Sequence, residues 1–198
     1  FSQPGQCAYP GCAILITVLA FSILGDGVRD ALELAGILSF DEHYTRTGIQ
    51  YQQFNTAYQL CAQSREDRAA LDAASTLLMV PDYLNYVLTG VKAQEYTNAS
   101  TTALVGAKSR DWDWELVDRL SLPRCVFQPI AQPETSLGRV RPEVAKRIGY
   151  APEVVLVASH DTGSAWLAVP ARDEKAVYLS SGTWSLMGAE LREPVCSP

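Results

Sequence analysis

The sequence contains few of the residues that bind metal ions or form disulfide bonds. Its 198 residues include two histidines and five cysteines. The cysteines are widely spaced and odd in number, no Cys-x-x-Cys pair occurs, and the histidines are not close to any cysteine in the sequence. This pattern argues against a metal site and against a disulfide framework. It favours reduced thiols and therefore a cytoplasmic protein.

Basic residues and long apolar runs are also scarce. Lys and Arg number 16 against 22 Asp and Glu, which gives a net charge of −6. Because no excess of positive charge is present to neutralise phosphates, the composition argues against a nucleic-acid partner. The apolar run at residues 13–24 is too short to span a bilayer, so we expect no membrane partner either.

Three familiar functional motifs are missing. The sequence has no Gly-x-x-x-x-Gly-Lys-[Ser/Thr] motif, which excludes a P-loop protein. The glycine pair at positions 25 and 27 lacks the third glycine of the dinucleotide fingerprint, because Asp30 occupies that position. Ser159, His160 and Asp161 are consecutive, and three adjacent residues cannot reach one another in the geometry of a catalytic triad.

Capping and turn signals predict helices in the first two thirds of the chain. Residues 25–36 are typical of a short helix, and residues 64–80 of a longer one, with Ser64 and Asp67 three positions apart as in a capping box. Pro81 suits the first turn of the next helix and Gly90 its end. The apolar spacing of residues 109–120 predicts a further helix.

Strand signals follow after a stretch, 124–150, that we expect to be irregular. Residues 154–158 form an unbroken apolar run, the pattern of a strand buried on both faces. Residues 164–169 have a helical pattern. The runs 176–181 and 184–189 flank a Gly-Thr pair, which predicts a tight hairpin. The mixture of helices and strands predicts an α/β fold.

Two of these connections could carry chemistry. The first follows the apolar run, where Asp161 could act as a general base on a hydroxyl, and where His160 and Thr162 could hydrogen-bond to a polyol. The alternative is that Asp161 only caps the following helix. The second is the hairpin turn, where the backbone around Gly182 and Thr183 could bind a phosphate. Its alternative is an ordinary hairpin turn. The polar segment 95–102 suits a sugar pocket or an exposed loop equally well.

Five segments of the chain, taken in order, resemble the FGGY family of carbohydrate kinases. They are TRTGIQYQQFNTAYQL (45–60), LLMVPDYLNYVLTG (77–90), EYTNASTTALV (95–105), VASHDTGSAWLA (157–168) and YLSSGTWSLMG (178–188). The forms SHDT and YLSSGTWSLMG are most similar to the rhamnulokinase branch of the family. The resemblance implies two actin-like (ribonuclease H-like) domains with the active site between them.

The resemblance also implies an activity and roles for particular residues. The activity is phosphoryl transfer from ATP, with Mg²⁺, to O1 of L-rhamnulose, so the expected partners are a small sugar and ATP. Asp161 matches the catalytic base, with His160 and Thr162 at sugar-binding positions. Thr183, with Gly182 beside it, matches the ATP-contacting turn. Tyr96 is similar to a substrate-contacting tyrosine of the glycerol-kinase branch.

The resemblance does not extend over the whole chain. Residues 1–24 are unlike the family, 25–170 resemble part of its N-terminal domain, and 171–198 resemble the start of its C-terminal domain. We therefore expect a fragment that is inactive alone. Two alternatives stay open: a non-catalytic remnant, or another FGGY kinase such as a fuculokinase or xylulokinase. The oligomeric state leaves no readable signal.

Overall fold

The computed structural model describes residues 36–173, 175–182 and 184–197. The segment 1–24, the predicted helix 25–36 except for its last residue, and Thr183 lie outside these residues. The helices are α1 (Phe40–Thr47), α2 (Thr56–Glu66), α3 (Arg68–Ala73), α4 (Val80–Thr89), α5 (Tyr96–Ser100), α6 (Trp114–Arg119), α7 (Pro142–Ile148) and α8 (Asp161–Leu167), with one 3-10 turn, Arg124–Val126. The strands are β1 (Gln94–Glu95), β2 (Ile130–Ala131), β3 (Ser136–Arg139), β4 (Glu153–Val155), β5 (Val177–Ser181) and β6 (Ser185–Ala189). This mixture confirms the predicted α/β class.

The strands pair two by two within the described residues. Strand β1 runs parallel to β2, whereas β3 with β4 and β5 with β6 are antiparallel. The β5–β6 hairpin confirms the prediction, and its last pair joins Ser181 to Ser185. Helix α4 also confirms its prediction, because Pro81 lies in its first turn and Gly90 ends it with a φ of 82°.

The single helix predicted over residues 64–80 is wrong. The chain forms α2 and α3 instead, and the break falls at Asp67, whose φ is −147°. The Asp67 side chain accepts a hydrogen bond from Ala70 N at 2.9 Å and so starts a new helix. After α3 the chain is not helical again until α4, and Leu77 N donates to Val126 O at 2.8 Å. A tertiary contact therefore outweighs the helical pattern.

Helix α6 is shorter than the predicted 109–120, because it begins only after Asp113. The carboxylate of Asp113 caps it by accepting a hydrogen bond from Leu116 N at 3.0 Å. The stretch 124–150, predicted to be irregular, contains α7 and β3 as well as β2. Pro142 lies in the first turn of α7 and Gly149 ends it, so the residues that suggested irregularity instead mark its two ends.

The strand predicted at 154–158 is not buried on both faces. Val155 and Val157 are 47% and 67% exposed, whereas Leu156 and Ala158 are buried. The strand is also shorter than predicted, because β4, the antiparallel partner of β3, ends at Val155. The extended chain after it keeps the alternation of a strand with one covered face. Helix α8 begins at Asp161, three residues before the predicted start.

The buried core joins the helices α2, α3, α5 and α6 to the turns between them. Leu104, Leu116 and Val117 are fully buried, and the Trp112 ring packs against Phe127 with ring centroids 4.8 Å apart. The Trp112 indole N–H donates to Gln128 O at 2.8 Å, which satisfies its buried donor. Across the described residues, no helix is both long and apolar enough to cross a membrane.

Candidate active site

Four segments that are distant in the sequence meet around a cleft of about 470 Å³. They are the segment before α2, the turn after α5, the start of α8, and the β5–β6 hairpin. The lining residues are Ile49, Gln50, Gln52, Phe54, Asn55, Thr101, His160, Asp161, Thr162, Ser180, Gly182, Trp184 and Leu186. Four residues predicted from the sequence, His160, Asp161, Thr162 and Gly182, therefore lie together.

Asp161 is the exposed first residue of α8. Its Oδ1 accepts a hydrogen bond from Thr162 N at 2.6 Å, and the Thr162 hydroxyl lies 3.4 Å from the same oxygen. Oδ2 accepts no hydrogen bond from any described residue. One carboxylate oxygen is thus held by the helix start while the other is free to take a proton from a bound hydroxyl.

The capping role considered for Asp161 belongs to its neighbour. His160 is the N-cap of α8, and its Nδ1 accepts a hydrogen bond from Gly163 N at 3.3 Å. Since Nδ1 is an acceptor in this bond, the neutral ring is assigned the tautomer with hydrogen on Nε2. His160 can then donate from Nε2 to an oxygen in the cleft, which suits the predicted contact with a sugar.

The hairpin contributes one wall of the cleft. Gly182 N donates to Trp184 O at 2.9 Å, so this N–H is engaged inside the turn rather than turned toward the cleft. The Trp184 ring meets Phe54 edge to face across the cleft wall, with centroids 6.1 Å apart and planes at 77°. The ATP contact of Gly182 stays a prediction, and Thr183 lies outside the described residues.

Tyr96 is not among the residues that line the cleft. It is the first residue of α5, is half-buried, and packs against the hydrophobic core. Its predicted substrate contact therefore stays a prediction. The segment 95–102 is not an exposed loop, because Glu95 and Thr102 are fully buried in it. Only Thr101 from this segment lines the cleft.

Sequence reasoning missed the polar segment before α2. Gln50, Gln52 and Asn55 line the cleft, and the two glutamines offer amide groups to a hydroxylated ligand. Asn55 holds this segment in place, because its Oδ1 accepts from Gln52 N at 2.7 Å and its Nδ2 donates to Thr101 O at 3.0 Å. The concentration of amide side chains in residues 50–55 was the available signal.

The described residues contain no group of three or more His, Cys, Asp or Glu side chains that could hold a metal ion. Among the described residues that line the cleft, Asp161 is the one that carries a carboxylate.

Comparison with known proteins decides the family. A profile of the FGGY family of carbohydrate kinases, N-terminal domain, matches residues 31–168. The chain belongs to the FGGY family of carbohydrate kinases. The match includes the first turn of α8 with His160, Asp161 and Thr162, and it ends before the β5–β6 hairpin.

This FGGY chain is similar to curated rhamnulokinases. It is 45% identical to the rhamnulokinase of Oceanobacillus iheyensis over 87% of this chain and 36% of that protein. It is 48% identical to the rhamnulokinase of Halalkalibacterium halodurans over 77% of this chain and 32% of that protein. The chain thus spans about a third of the length of these relatives.

A solved structure of a sugar kinase shares the fold. The ligand-bound xylulose kinase from Lactobacillus acidophilus superposes with a TM-score of 0.76 at 21% identity. The superposition covers 87% of this chain and 35% of that one. The fold of the described residues is therefore that of a sugar kinase N-terminal region, as the sequence resemblance implied.

Proposed function

We propose that this chain carries the sugar-binding side and the general base of an ATP-dependent kinase that phosphorylates L-rhamnulose at O1. The observation that carries the proposal is the exposed carboxylate of Asp161 in the cleft, beside His160 and Thr162, with one oxygen that accepts no hydrogen bond from a described residue. The similarity to curated rhamnulokinases supports L-rhamnulose as the sugar. Residues 25–170 would belong to the N-terminal domain of the kinase and 171–198 to the start of its C-terminal domain.

In this proposal Asp161 accepts the proton of the sugar O1 hydroxyl while that oxygen forms its bond to phosphorus. ATP supplies the phosphoryl group, and the bond to the departing ADP oxygen breaks. General-base catalysis of this kind contributes typically 10²–10⁴-fold in rate. His160, through Nε2–H, and Thr162 would orient the sugar beside the base, with Tyr96 as a further predicted contact.

Further polar residues would complete the sugar site. The cleft is also lined by Gln50, Gln52 and Thr101, whose amide and hydroxyl groups would match the hydroxyls of a ketose. Ile49, Phe54, Trp184 and Leu186 supply apolar surface for the carbon skeleton of the sugar.

The β5–β6 hairpin is the expected contact with ATP. Gly182, and Thr183 as predicted from the sequence, would make this contact. Mg²⁺ commonly keeps several waters and binds through substrate phosphates with one or two carboxylates. Asp161 is the one carboxylate among the described residues of the cleft, and it suits a Mg²⁺ ion that enters with the phosphates of ATP.

A substrate panel tests the proposal. The full-length gene product that carries this sequence would be assayed for ADP release with L-rhamnulose, L-fuculose and D-xylulose, and the phosphorylated position would be read by ³¹P NMR. We expect kcat/KM for L-rhamnulose to exceed the others by at least about tenfold, with phosphate on O1. Preference for D-xylulose or L-fuculose would assign another sugar. Binding of L-rhamnulose without turnover, measured by calorimetry, would instead support the non-catalytic remnant.

A further inference from the structure

The carboxylate of Glu95 is fully buried and yet accepts five hydrogen bonds. Oε1 accepts from Thr97 N at 2.8 Å. Oε2 accepts from the Thr97 hydroxyl at 2.6 Å, from Asn98 N at 3.2 Å, and from Ser159 through N at 3.0 Å and Oγ at 2.7 Å. Two of these bonds cap α5, so the capping of a five-residue helix accounts for only part of the arrangement.

The remaining bonds lead to the candidate active site. Ser159 directly precedes His160, so its two hydrogen bonds to Glu95 fix the chain immediately before the first turn of α8, which carries Asp161. The Thr97 hydroxyl donates to Glu95 and also accepts from His160 N at 3.2 Å. We call Glu95, Thr97 and Ser159 the Glu95 cluster. The cluster holds the backbone on the N-terminal side of Asp161 by three hydrogen bonds.

The chemistry of the cluster requires a carboxylate. Burial by itself would raise the pKa of Glu95, but the hydrogen bonds from Thr97 and Ser159 outweigh it and hold this pKa below its ordinary value. Glu95 is therefore ionised at neutral pH. A glutamine has the same size, but its NH₂ group cannot accept a hydrogen bond. Glu95→Gln would therefore place a hydrogen-bond donor where one carboxylate oxygen now accepts from N–H or O–H groups, and those groups would lose their acceptor.

We propose that Glu95 is a positioning residue, which orients His160 and through it the carboxylate of Asp161 toward the sugar hydroxyl. The inference rests on the proposed function, because it takes Asp161 as the base. Glu95 is the fully buried last residue of β1, so the Glu95 cluster connects the first turn of α8, which presents the exposed Asp161, to a buried part of the described chain.

Matched variants of Thr97 and Glu95 test the proposal. Thr97→Val keeps the size of the side chain and removes the hydroxyl that links Glu95 to His160 N, whereas Thr97→Ser keeps that hydroxyl. In the 198-residue chain, amide hydrogen exchange at His160 should be about tenfold faster in T97V and E95Q than in wild type, and should recover in T97S. Unchanged exchange in both T97V and E95Q would overturn the proposal.

Kinetics of the full-length gene product give the second readout. We expect kcat for sugar phosphorylation to fall by at least about tenfold in T97V and E95Q, with the KM for ATP nearly unchanged and with recovery in T97S. Should E95Q fail to fold, T97V decides alone. Wild-type turnover with unaltered kcat in T97V would contradict the positioning role but leave the proposed function intact. If the wild type phosphorylates no sugar, the proposed function fails, and the exchange of the His160 amide still decides whether Glu95 positions the turn.

Discussion

Ser159 donates two hydrogen bonds to the carboxylate of Glu95, one from its backbone N and one from its hydroxyl. The two residues are 64 positions apart in the sequence. Their contact joins the end of β1 to the residue before the N-cap of α8. A buried carboxylate therefore lies directly behind the turn that presents Asp161 to the cleft.

Asp82 should make the stability of the chain depend on pH. Its side chain is buried and accepts a hydrogen bond from Glu95 N at 3.1 Å, and burial raises its pKa to about 6. Because the pKa of the folded state lies above that of the unfolded state, the stabilising contribution is complete at low pH and is lost as pH rises through about 6. Asp82→Asn removes this titration and keeps an oxygen that can accept from Glu95 N.

We therefore expect the free energy of unfolding of D82N, relative to wild type, to rise between pH 4.5 and pH 7.5. The rise should be on the order of 2 kcal/mol. Urea unfolding of the wild type and of D82N at pH 4.5, 6.0 and 7.5 measures this rise. A difference that does not change with pH would show that Asp82 has an ordinary pKa.

The pair Arg46–Asp113 should stabilise the fold more than an exposed pair of the same geometry. Arg46 contacts both oxygens of Asp113 at 2.7 Å, and the Asp113 side chain is 13% exposed. Burial alone would raise the pKa of Asp113, but the hydrogen bonds from Arg46 and Leu116 N outweigh it and lower this pKa. The contribution is then present at neutral pH and is lost as pH falls below the ordinary value of the carboxyl.

Asp113→Asn should thus cost roughly 2 kcal/mol at pH 7 and much less at pH 3, measured by urea unfolding. Asp118→Asn is the matched control, because Asp118 forms the same two-point contact with Arg124 at the surface. Exposed pairs contribute little, so D118N should leave the unfolding midpoint nearly unchanged. Equal losses in D113N and D118N would contradict the role given to burial.

The buried imidazole of His43 receives a hydrogen bond from Tyr58 that should stabilise the fold. His43 Nδ1 lies 2.9 Å from the Tyr58 hydroxyl and Nε2 lies 2.6 Å from Ala103 O, so the ring is assigned hydrogen on Nε2 and accepts from Tyr58. Tyr58→Phe leaves Nδ1 buried without that donor and should cost about 1–3 kcal/mol in thermal or urea unfolding. Tyr150→Phe, at an exposed tyrosine, should cost much less. A loss as large in Y150F as in Y58F would count against this reading.

Gly90 and Gly149 have the same backbone conformation but differ in the space that is available for a side chain. Both end a helix in the left-handed region, with φ of 82° and 86°. A Cβ at Gly90 would lie 2.9 Å from Arg141 Nε, whereas at Gly149 nothing lies within 4 Å. Gly149→Ala should cost about 1 kcal/mol of unfolding free energy, and Gly90→Ala more, because it also moves Arg141 off the Tyr86 ring. A smaller loss in G90A than in G149A would refute this.

Local signals predicted the elements whose ends they define. Pro81 and Gly90 delimit α4, and the Gly-Thr pair predicted the β5–β6 hairpin, because turn residues act through their own backbone conformations. The prediction over 64–80 failed because Asp67 caps a new helix and Leu77 N pairs with Val126 O. The second of these contacts involves a residue far along the chain, so no local pattern reveals it.

The candidate site was predicted in the same uneven way. The motif around Asp161 identified one side of the cleft. Another side is formed by Asn55 and Thr101, which a hydrogen bond from Asn55 Nδ2 to Thr101 O joins although the two residues are distant in the sequence. Glu95 was noted in the sequence only as part of a polar run. Its burial and its bonds to Ser159 exist only in the folded chain, and a buried charge cannot be told from an exposed one by residue type.

Asp161→Asn in the full-length gene product tests the central claim most directly. Asn keeps an oxygen that can accept from Thr162 N, but it cannot accept the proton of the sugar hydroxyl. Asp41→Asn removes the same charge from the exposed first turn of α1 and serves as the control. We expect kcat for L-rhamnulose to fall by about 10²–10⁴-fold in D161N and to stay near the wild-type value in D41N. A D161N enzyme that retains kcat within about tenfold of wild type would contradict it.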